Sequence, residues 1–94
     1  MAEDRENQQA VVCNPDVLAK VVGDDTVLVH LKTNRIYELN RTAARLWALL
    51  DQGLSPTEIE QALVREFSVS PDIVRREMEA LIEELVDERL LLRR

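Results

Sequence analysis

The spacing of the apolar residues changes once along this chain, at Asn40, and that change restricts the possible folds more than any other feature. Before Asn40, short alternating or β-branched runs at residues 17–22, 26–31 and 35–39 predict β-strands. After it, apolar residues return at the three- and four-residue intervals of a helix. Strands followed by helices predict an α+β domain in which the helices pack on one face of a sheet.

The segments between the predicted strands indicate how the strands pair. Gly23-Asp24-Asp25 has turn chemistry, and a second turn at Thr33-Asn34 leads into the run RIYEL at 35–39. Two successive hairpins predict a three-stranded antiparallel sheet in the N-terminal half. The first and third strands of such a meander are its edges.

Three helices are predicted, each with its own start signal. Asn40 is a suitable N-cap, and Ser55-Pro56-Thr57-Glu58 is a capping box with proline at the first helical position. Ser70-Pro71-Asp72 repeats the device. The helices are expected over 41–52, from Pro56 to about Phe67, and from Pro71 to about Arg89.

The order of these elements favours a winged-helix-like fold. The second and third helices form a helix-turn-helix-like pair, and Leu90–Leu92 is suited to start a wing. With 94 residues the chain is long enough for one core. Residues 1–12 read as a flexible acidic arm and residues 13–94 as a single domain. The chain shows neither a membrane span nor a signal peptide, which predicts a cytoplasmic protein.

Residues suited to catalysis or metal binding do not form a pattern in this sequence. His30 is the only histidine and Cys13 the only cysteine, and neither has a partner at a motif spacing. We expect His30 at the surface or a sheet edge and Cys13 as a half-buried apolar residue. The sequence therefore predicts no enzyme, no metal site and no cofactor.

DNA binding is a natural hypothesis for a helix-turn-helix pair, but the charge of the third helix opposes it. Such a helix would enter the major groove and approach phosphates. Its charged residues are Asp72, Glu77, Glu79, Glu83, Glu84, Asp87 and Glu88 against Arg75, Arg76 and Arg89, a net charge of −4. The whole chain carries −6. These charges predict no nucleic-acid partner.

Two features remain that a peptide could use. The third strand, with Arg35, Ile36, Tyr37, Glu38 and Leu39, is a proline-free sheet edge whose free backbone groups can recruit another strand. In the third helix, Ile82 extends the apolar stripe beyond Met78 towards the side of Arg75 and Glu79. Glu77, Glu84 and Glu88 lie on the other side. The alternatives are an edge strand with no partner and a stripe that is wholly buried.

The segment from Val27 to Leu91 resembles the PqqD-like proteins, also called RiPP precursor peptide recognition elements. Three stretches carry the resemblance: LKTNRIYELNRTAARLWALLDQG (31–53), SPTEIEQALVREFSVSP (55–71) and ELVDERLLL (84–92). Many members have glycine where Ala43 stands, a change that suits a helix. The resemblance implies a domain that binds the leader segment of a ribosomally made precursor peptide as an added strand. It implies binding along Arg35–Leu39 and in the cleft beside Arg75, Met78 and Ile82.

Within that family the chain resembles the B1 group of lasso-peptide biosynthesis. This resemblance implies a separate partner, a B2-like leader peptidase or another maturation enzyme, to which the leader is presented. Two other functions stay open on the sequence: a DNA-binding winged-helix regulator, and a scaffold subunit of an enzyme complex that binds no peptide.

Overall fold

The computed structural model describes residues 11–93, which form an α+β domain of two small sheets and three helices. The strands are β1 (Val11–Cys13), β2 (Val17–Val22), β3 (Asp25–His30), β4 (Arg35–Leu39) and β5 (Leu91–Arg93). The helices are α1 (Arg41–Asp51), α2 (Pro56–Phe67) and α3 (Pro71–Asp87). The predicted three-stranded sheet followed by three helices is confirmed, and the arrangement is winged-helix-like.

The larger sheet is antiparallel in the order β2-β3-β4, so β2 and β4 are its edges, as predicted. Val22 and Asp25 pair across a two-residue turn in which Gly23 has a φ of +63°. Glycine adopts a positive φ without steric cost, and at the first turn position it matches the right-handed twist of a hairpin. The second turn ends at Asn34, also at positive φ.

The predicted caps position the helices on this sheet. The Asn40 side chain accepts a hydrogen bond from the Ala43 N–H at 2.9 Å. In α2 the Ser55 hydroxyl accepts from the Glu58 N–H, and the Glu58 carboxylate accepts from the Ser55 N–H at 2.8 Å. The Ser70 hydroxyl caps α3 by accepting a hydrogen bond from the Ile73 N–H at 3.4 Å, without a reciprocal side-chain bond. The core beneath the helices is mostly aliphatic, with Trp47 as a buried aromatic residue. Its fully buried large side chains are Leu28, Leu46, Ile59, Leu90 and Leu91.

The second sheet differs from the predicted wing. Leu91–Arg93 pairs antiparallel with β1 from the start of the described chain, with Cys13 opposite Leu91. A wing would instead need a hairpin that follows α3. The predicted arm, residues 1–12, lies outside the described residues except for Val11 and Val12, which belong to β1. Strands of three residues are too short to show an alternating pattern.

His30 is buried, so the expectation of a surface or edge position was wrong. It lies on the central strand, and its side chain faces the helices together with Thr26 and Leu28. Its ring Nδ1 accepts a hydrogen bond from the Lys32 N–H at 3.2 Å. The alternation along β3 places every second residue in the core, and a histidine in that phase is buried with its neighbours.

Candidate functional site

The open edge of β4 exposes the backbone groups of alternate residues. In an antiparallel ladder, hydrogen-bonded and non-hydrogen-bonded pairs alternate. The two-residue turn makes Val22 and Asp25 a hydrogen-bonded pair, so the next residue, Thr26, turns its backbone groups towards β4. Leu28 and His30 follow the same phase.

Two hydrogen bonds at the end of the sheet support this phase. The carbonyl of His30 accepts from the Asn34 N–H at 2.7 Å on the β4 side. The N–H of the next residue, Leu31, donates to the Asp16 carbonyl at 2.8 Å on the β2 side. Tyr37 pairs with Leu28, so its backbone groups point inwards to β3.

The backbone N–H and C=O groups of Ile36 and Glu38 therefore point outwards, along an edge to which no strand of residues 11–93 pairs. These are donors and acceptors that an added strand requires. On the opposite edge of the sheet, the same register turns Ala19 and Val21 of β2 outwards.

A groove separates β4 from α3, and we call it the edge groove. Its near part, beside the strand, has a volume of about 360 Å³ and is lined by Tyr37, Glu38, Leu39, Asn40, Ala43, Leu81, Glu84, Leu85, Glu88 and Leu90. Its deep part, of about 460 Å³, continues past the end of β4 to Phe67 and Val69. Asn40, Leu81 and Glu84 line both parts. The floor is apolar because it is the outer layer of the core.

Glu88 closes the near end of the edge groove. Its Oε1 accepts a hydrogen bond from the Tyr37 hydroxyl at 2.8 Å and lies 3.3 Å from Nη1 of Arg35. The end of α3 is itself held by Asn14, whose amide donates to the Arg89 carbonyl at 2.8 Å. Arg89 at positive φ and the bond from the Leu90 N–H to the Leu85 carbonyl form a Schellman-type helix end. These contacts connect the end of α3 to β4 and to Asn14.

A second depression, the back groove, lies on the other side of α3. It has a volume of about 430 Å³ and is lined by Pro56, Thr57, Glu60, Arg75, Met78, Glu79, Ile82, Glu83 and Arg93. Arg75 is exposed and forms ion pairs with Glu60 at 3.1 Å and Asp72 at 3.7 Å. Hydrogen bonding to the Glu60 carboxylate raises the pKa of the Arg75 guanidinium above its usual value.

The structure thus divides the residues predicted to bind a peptide between two surfaces. Arg35, Ile36 and Glu38 are exposed on β4, Tyr37 is half-buried and Leu39 is buried. Arg75 and Ile82 line the back groove, whereas the buried Met78 lies beneath both grooves. The resemblance implied one cleft shared by β4, Arg75, Met78 and Ile82, but Arg75 and Ile82 line a different groove from β4. Peptide contact at any of these residues stays a prediction.

The correction has a physical reason. The helical spacing indicates how wide an apolar stripe is, but not which of its sides faces the sheet. The acidic side with Glu84 and Glu88 looked like a solvated face in the sequence. It faces β4, where Arg35 and Tyr37 supply partners for Glu88, and a separation of more than fifty residues gave no sequence signal for that contact.

Groups suited to covalent or metal chemistry are sparse in the described part of the chain. Residues 11–93 contain no cluster of three histidine, cysteine or carboxylate side chains that could hold a metal ion. Burial, with a smaller contribution from Asp51, raises the pKa of the Cys13 thiol to about 11. The thiol is therefore protonated at neutral pH and a poor nucleophile. Within the same residues, no helix has the length and apolarity to cross a bilayer.

The fold and the edge define a class: a small winged-helix-like domain with an open strand beside a helix-walled groove. The sequence model of coenzyme PQQ synthesis protein D (PqqD) matches residues 25–91. The chain belongs to this family. The match begins at β3 and includes β4, all three helices and the first residue of β5.

Two solved structures are similar to the chain. One is TbiB1 in complex with the TbiA(beta) leader peptide, with a TM-score of 0.83 and 31% identity over 85% of this chain and 93% of that one. The other is a lasso peptide synthetase B1 complexed with the leader peptide, with a TM-score of 0.81 and 26% identity over 87% of this chain and 96% of that one. No curated protein is significantly similar in sequence.

Proposed function

We propose that this protein binds the leader segment of a ribosomally synthesised precursor peptide, of the lasso-peptide kind, by adding it as a strand to β4. The observation that carries the proposal is the pair of outward-facing backbone units at Ile36 and Glu38, beside a groove with an apolar floor. In strand addition, main-chain hydrogen bonds provide affinity and pockets for alternate side chains provide selection. The PqqD family and the two leader-peptide complexes among similar structures support it.

The bound leader would be presented to a separate enzyme, a B2-like leader peptidase or another maturation enzyme, in the cytoplasm where the precursor is made. This protein would itself catalyse no step. The protonated Cys13 thiol and the buried His30 support that part of the proposal, because neither offers an exposed nucleophile or base. Precursor turnover by the purified protein alone would contradict it.

The experiment has two stages. The protein is first used to pull the native precursor from cells, and the precursor is identified by its mass. Amide hydrogen exchange is then followed with and without the leader of that precursor. The amides of Ile36 and Glu38 should exchange quickly in the free protein and slowly in the complex. The Tyr37 amide, which already pairs with Leu28, should be protected in both states.

The same measurements separate the other functions. Unchanged exchange at Ile36 and Glu38 in a saturated complex would exclude strand addition at β4. Recovery of no peptide would favour the scaffold function. Binding to DNA that collapses as salt rises would favour the regulator, because phosphate contacts release counterions whereas strand addition depends weakly on salt.

A further inference from the structure

The charged side chains that line the edge groove are all carboxylates, although two arginines lie at its margins. Arg35 pairs with Glu88 at the near end, and Arg41 lies over the Phe67 ring, 5.5 Å from its centroid. Among the described residues that line the groove, the only charged side chains are Glu38, Glu77, Glu84 and Glu88. The back groove is different, since Arg75 and Arg93 line it together with its carboxylates. A strand laid along β4 would therefore pass between an apolar floor and a rim of carboxylates.

Three of these carboxylates, Glu38 on β4 and Glu77 and Glu84 on α3, have no ion-pair or side-chain hydrogen-bond partner in the part of the chain that the structure describes. Glu88, by contrast, is engaged by Tyr37 and Arg35. Glu77 and Glu84 are seven residues apart and so lie on the same side of α3. Leu81 lies between them and contributes to both parts of the groove.

The end of α3 adds a second source of negative potential. The last turn of this helix contains no basic residue, although the carbonyl end of a helix favours positive charge. Glu84 and Glu88 are also four residues apart, a spacing at which like charges repel on a helix. Arg35 already lies beside Glu88, and a further cation beside Glu84 would relieve both effects.

From these observations, and resting on the proposed function, we infer that the edge groove selects a peptide strand with a basic residue. The lysine or arginine of this strand would lie against Glu77 and Glu84, on the same face as an apolar residue that packs on Leu81. Side chains on one face of a strand repeat every second residue, about 7 Å apart. The basic and apolar residues of the ligand should therefore be separated by one position or by three.

The test uses a phage-displayed library of random peptides about ten residues long, which is enough to cover a five-residue strand and the deep part of the groove. The library is selected on the wild-type protein, on the double variant Glu77→Gln/Glu84→Gln, and on the matched double variant Glu79→Gln/Glu83→Gln. The last pair has the same charge change on the same helix but lines the back groove. Glu88 is left intact because it ties α3 to β4.

Peptides selected on the wild type should be enriched in lysine and arginine at the stated spacing from an apolar residue. The enrichment should persist with Glu79→Gln/Glu83→Gln and disappear with Glu77→Gln/Glu84→Gln, while the apolar preference remains in all three. For a selected synthetic peptide, replacing the basic residue by glutamine should weaken wild-type binding by about threefold to tenfold at low salt and less at high salt. Circular dichroism verifies that each variant is folded.

Absence of basic enrichment on the wild type, or equal enrichment on Glu77→Gln/Glu84→Gln, would overturn the inference. The proposed function fails in a different way, which the variant Ile36→Pro detects because it removes an outward N–H of β4. If the selected peptides bind this variant as tightly as the wild type, strand addition is wrong. The comparison between the two glutamine double variants remains valid in that case. Recovery of no peptide by the folded wild-type protein would overturn both.

Discussion

The two sides of α3 carry depressions of nearly equal volume, about 460 Å³ in the deep part of the edge groove and about 430 Å³ in the back groove. They differ in whether the backbone N–H and C=O groups beside them already have hydrogen-bond partners. The edge groove borders β4, whose outward N–H and C=O groups have no strand partner among residues 11–93. The back groove borders β5, which pairs with β1, and the start of α2, which Ser55 caps. Volume alone therefore does not define a site for an extended peptide.

Charge separates the two sides as well. The back groove contains an ion pair between Arg75 and Glu60, and Arg93 lines it together with Glu79 and Glu83, so charges of both signs lie along it. The edge groove has the unpartnered carboxylates of Glu77 and Glu84. One side of the helix thus borders a groove lined by charges of both signs, whereas, among residues 11–93, the charged side chains that line the edge groove are carboxylates only. Substitutions that distinguish the two sides test this comparison.

The largest expected effect comes from the residue that the two grooves share. Met78 is 7% exposed and lies beneath both. Met78→Ala should lower the free energy of unfolding by about 2–5 kcal/mol, because the removed side chain leaves a cavity in the core. Urea denaturation measures the loss, and the exposed neighbour Glu79→Ala is the control, with a change within about 0.5 kcal/mol. A loss below about 1 kcal/mol for Met78→Ala would mean that the grooves do not share a packed floor.

The next effect separates the sides directly, because Leu81 and Ile82 are adjacent, apolar and both half-buried on opposite sides of α3. Leu81→Asp should weaken leader binding by about thirtyfold or more, since a carboxylate packed against an apolar ligand costs about 2 kcal/mol or more. Ile82→Asp should change the affinity by less than about threefold. Fluorescence anisotropy measures binding, with circular dichroism as the folding control. The opposite ranking would move the peptide to the back groove.

A smaller effect is expected at the backbone of β4. Ile36→Pro removes an outward donor and adds a clash with a paired strand, so leader affinity should fall by about tenfold or more. Ile36→Ala keeps the donor and should bind nearly as well as the wild type. Tyr37→Pro should unfold the protein instead, because its N–H serves the pairing with Leu28.

The matched control lies on the other edge of the same sheet. Ala19 of β2 also points its N–H outwards, but within residues 11–93 the contacts between this sheet and the helices are made chiefly by β3 and β4. Ala19→Pro should leave both folding and leader affinity unchanged. Equal losses for Ala19→Pro and Ile36→Pro would show that proline disturbs the sheet as a whole and that the site at β4 is not distinguished by this test.

Short stretches of the sequence were sufficient to predict most of the fold. The capping residues Asn40, Ser55 and Ser70 define where the helices begin, and the turn at Gly23 sets the register of the first hairpin. Each of these depends on neighbours within a few residues. The strand order and the open edge at Arg35–Leu39 then follow from short connections, which is why the sequence could predict them.

Contacts between residues that are far apart in the sequence could not be predicted from short stretches of it. The hydrogen bond from Tyr37 to Glu88 and the one from Asn14 to Arg89 join opposite ends of the chain. They accompany an orientation of α3 in which Glu84 rather than Ile82 borders the edge groove. A helical pattern is symmetric about its stripe, and only the tertiary contacts remove that symmetry.

The smallest effects concern the polar ties on the two sides of α3. Tyr37→Phe removes the 2.8 Å hydrogen bond to Glu88 but leaves the Arg35 contact at 3.3 Å, and both are exposed to solvent. The free energy of unfolding should fall by about 0.5–1 kcal/mol, because water replaces most of what an exposed hydrogen bond contributes. Leader affinity should stay within a few-fold of the wild type, since the outward backbone groups are untouched. Arg75→Gln, which opens the ion pair on the back side, should leave leader affinity unchanged. Urea denaturation and anisotropy on both variants supply the comparison. A loss of tenfold or more for Tyr37→Phe alone would mean that the hydroxyl contacts the leader, and the closing contact of the edge groove would then be part of the binding site rather than its support.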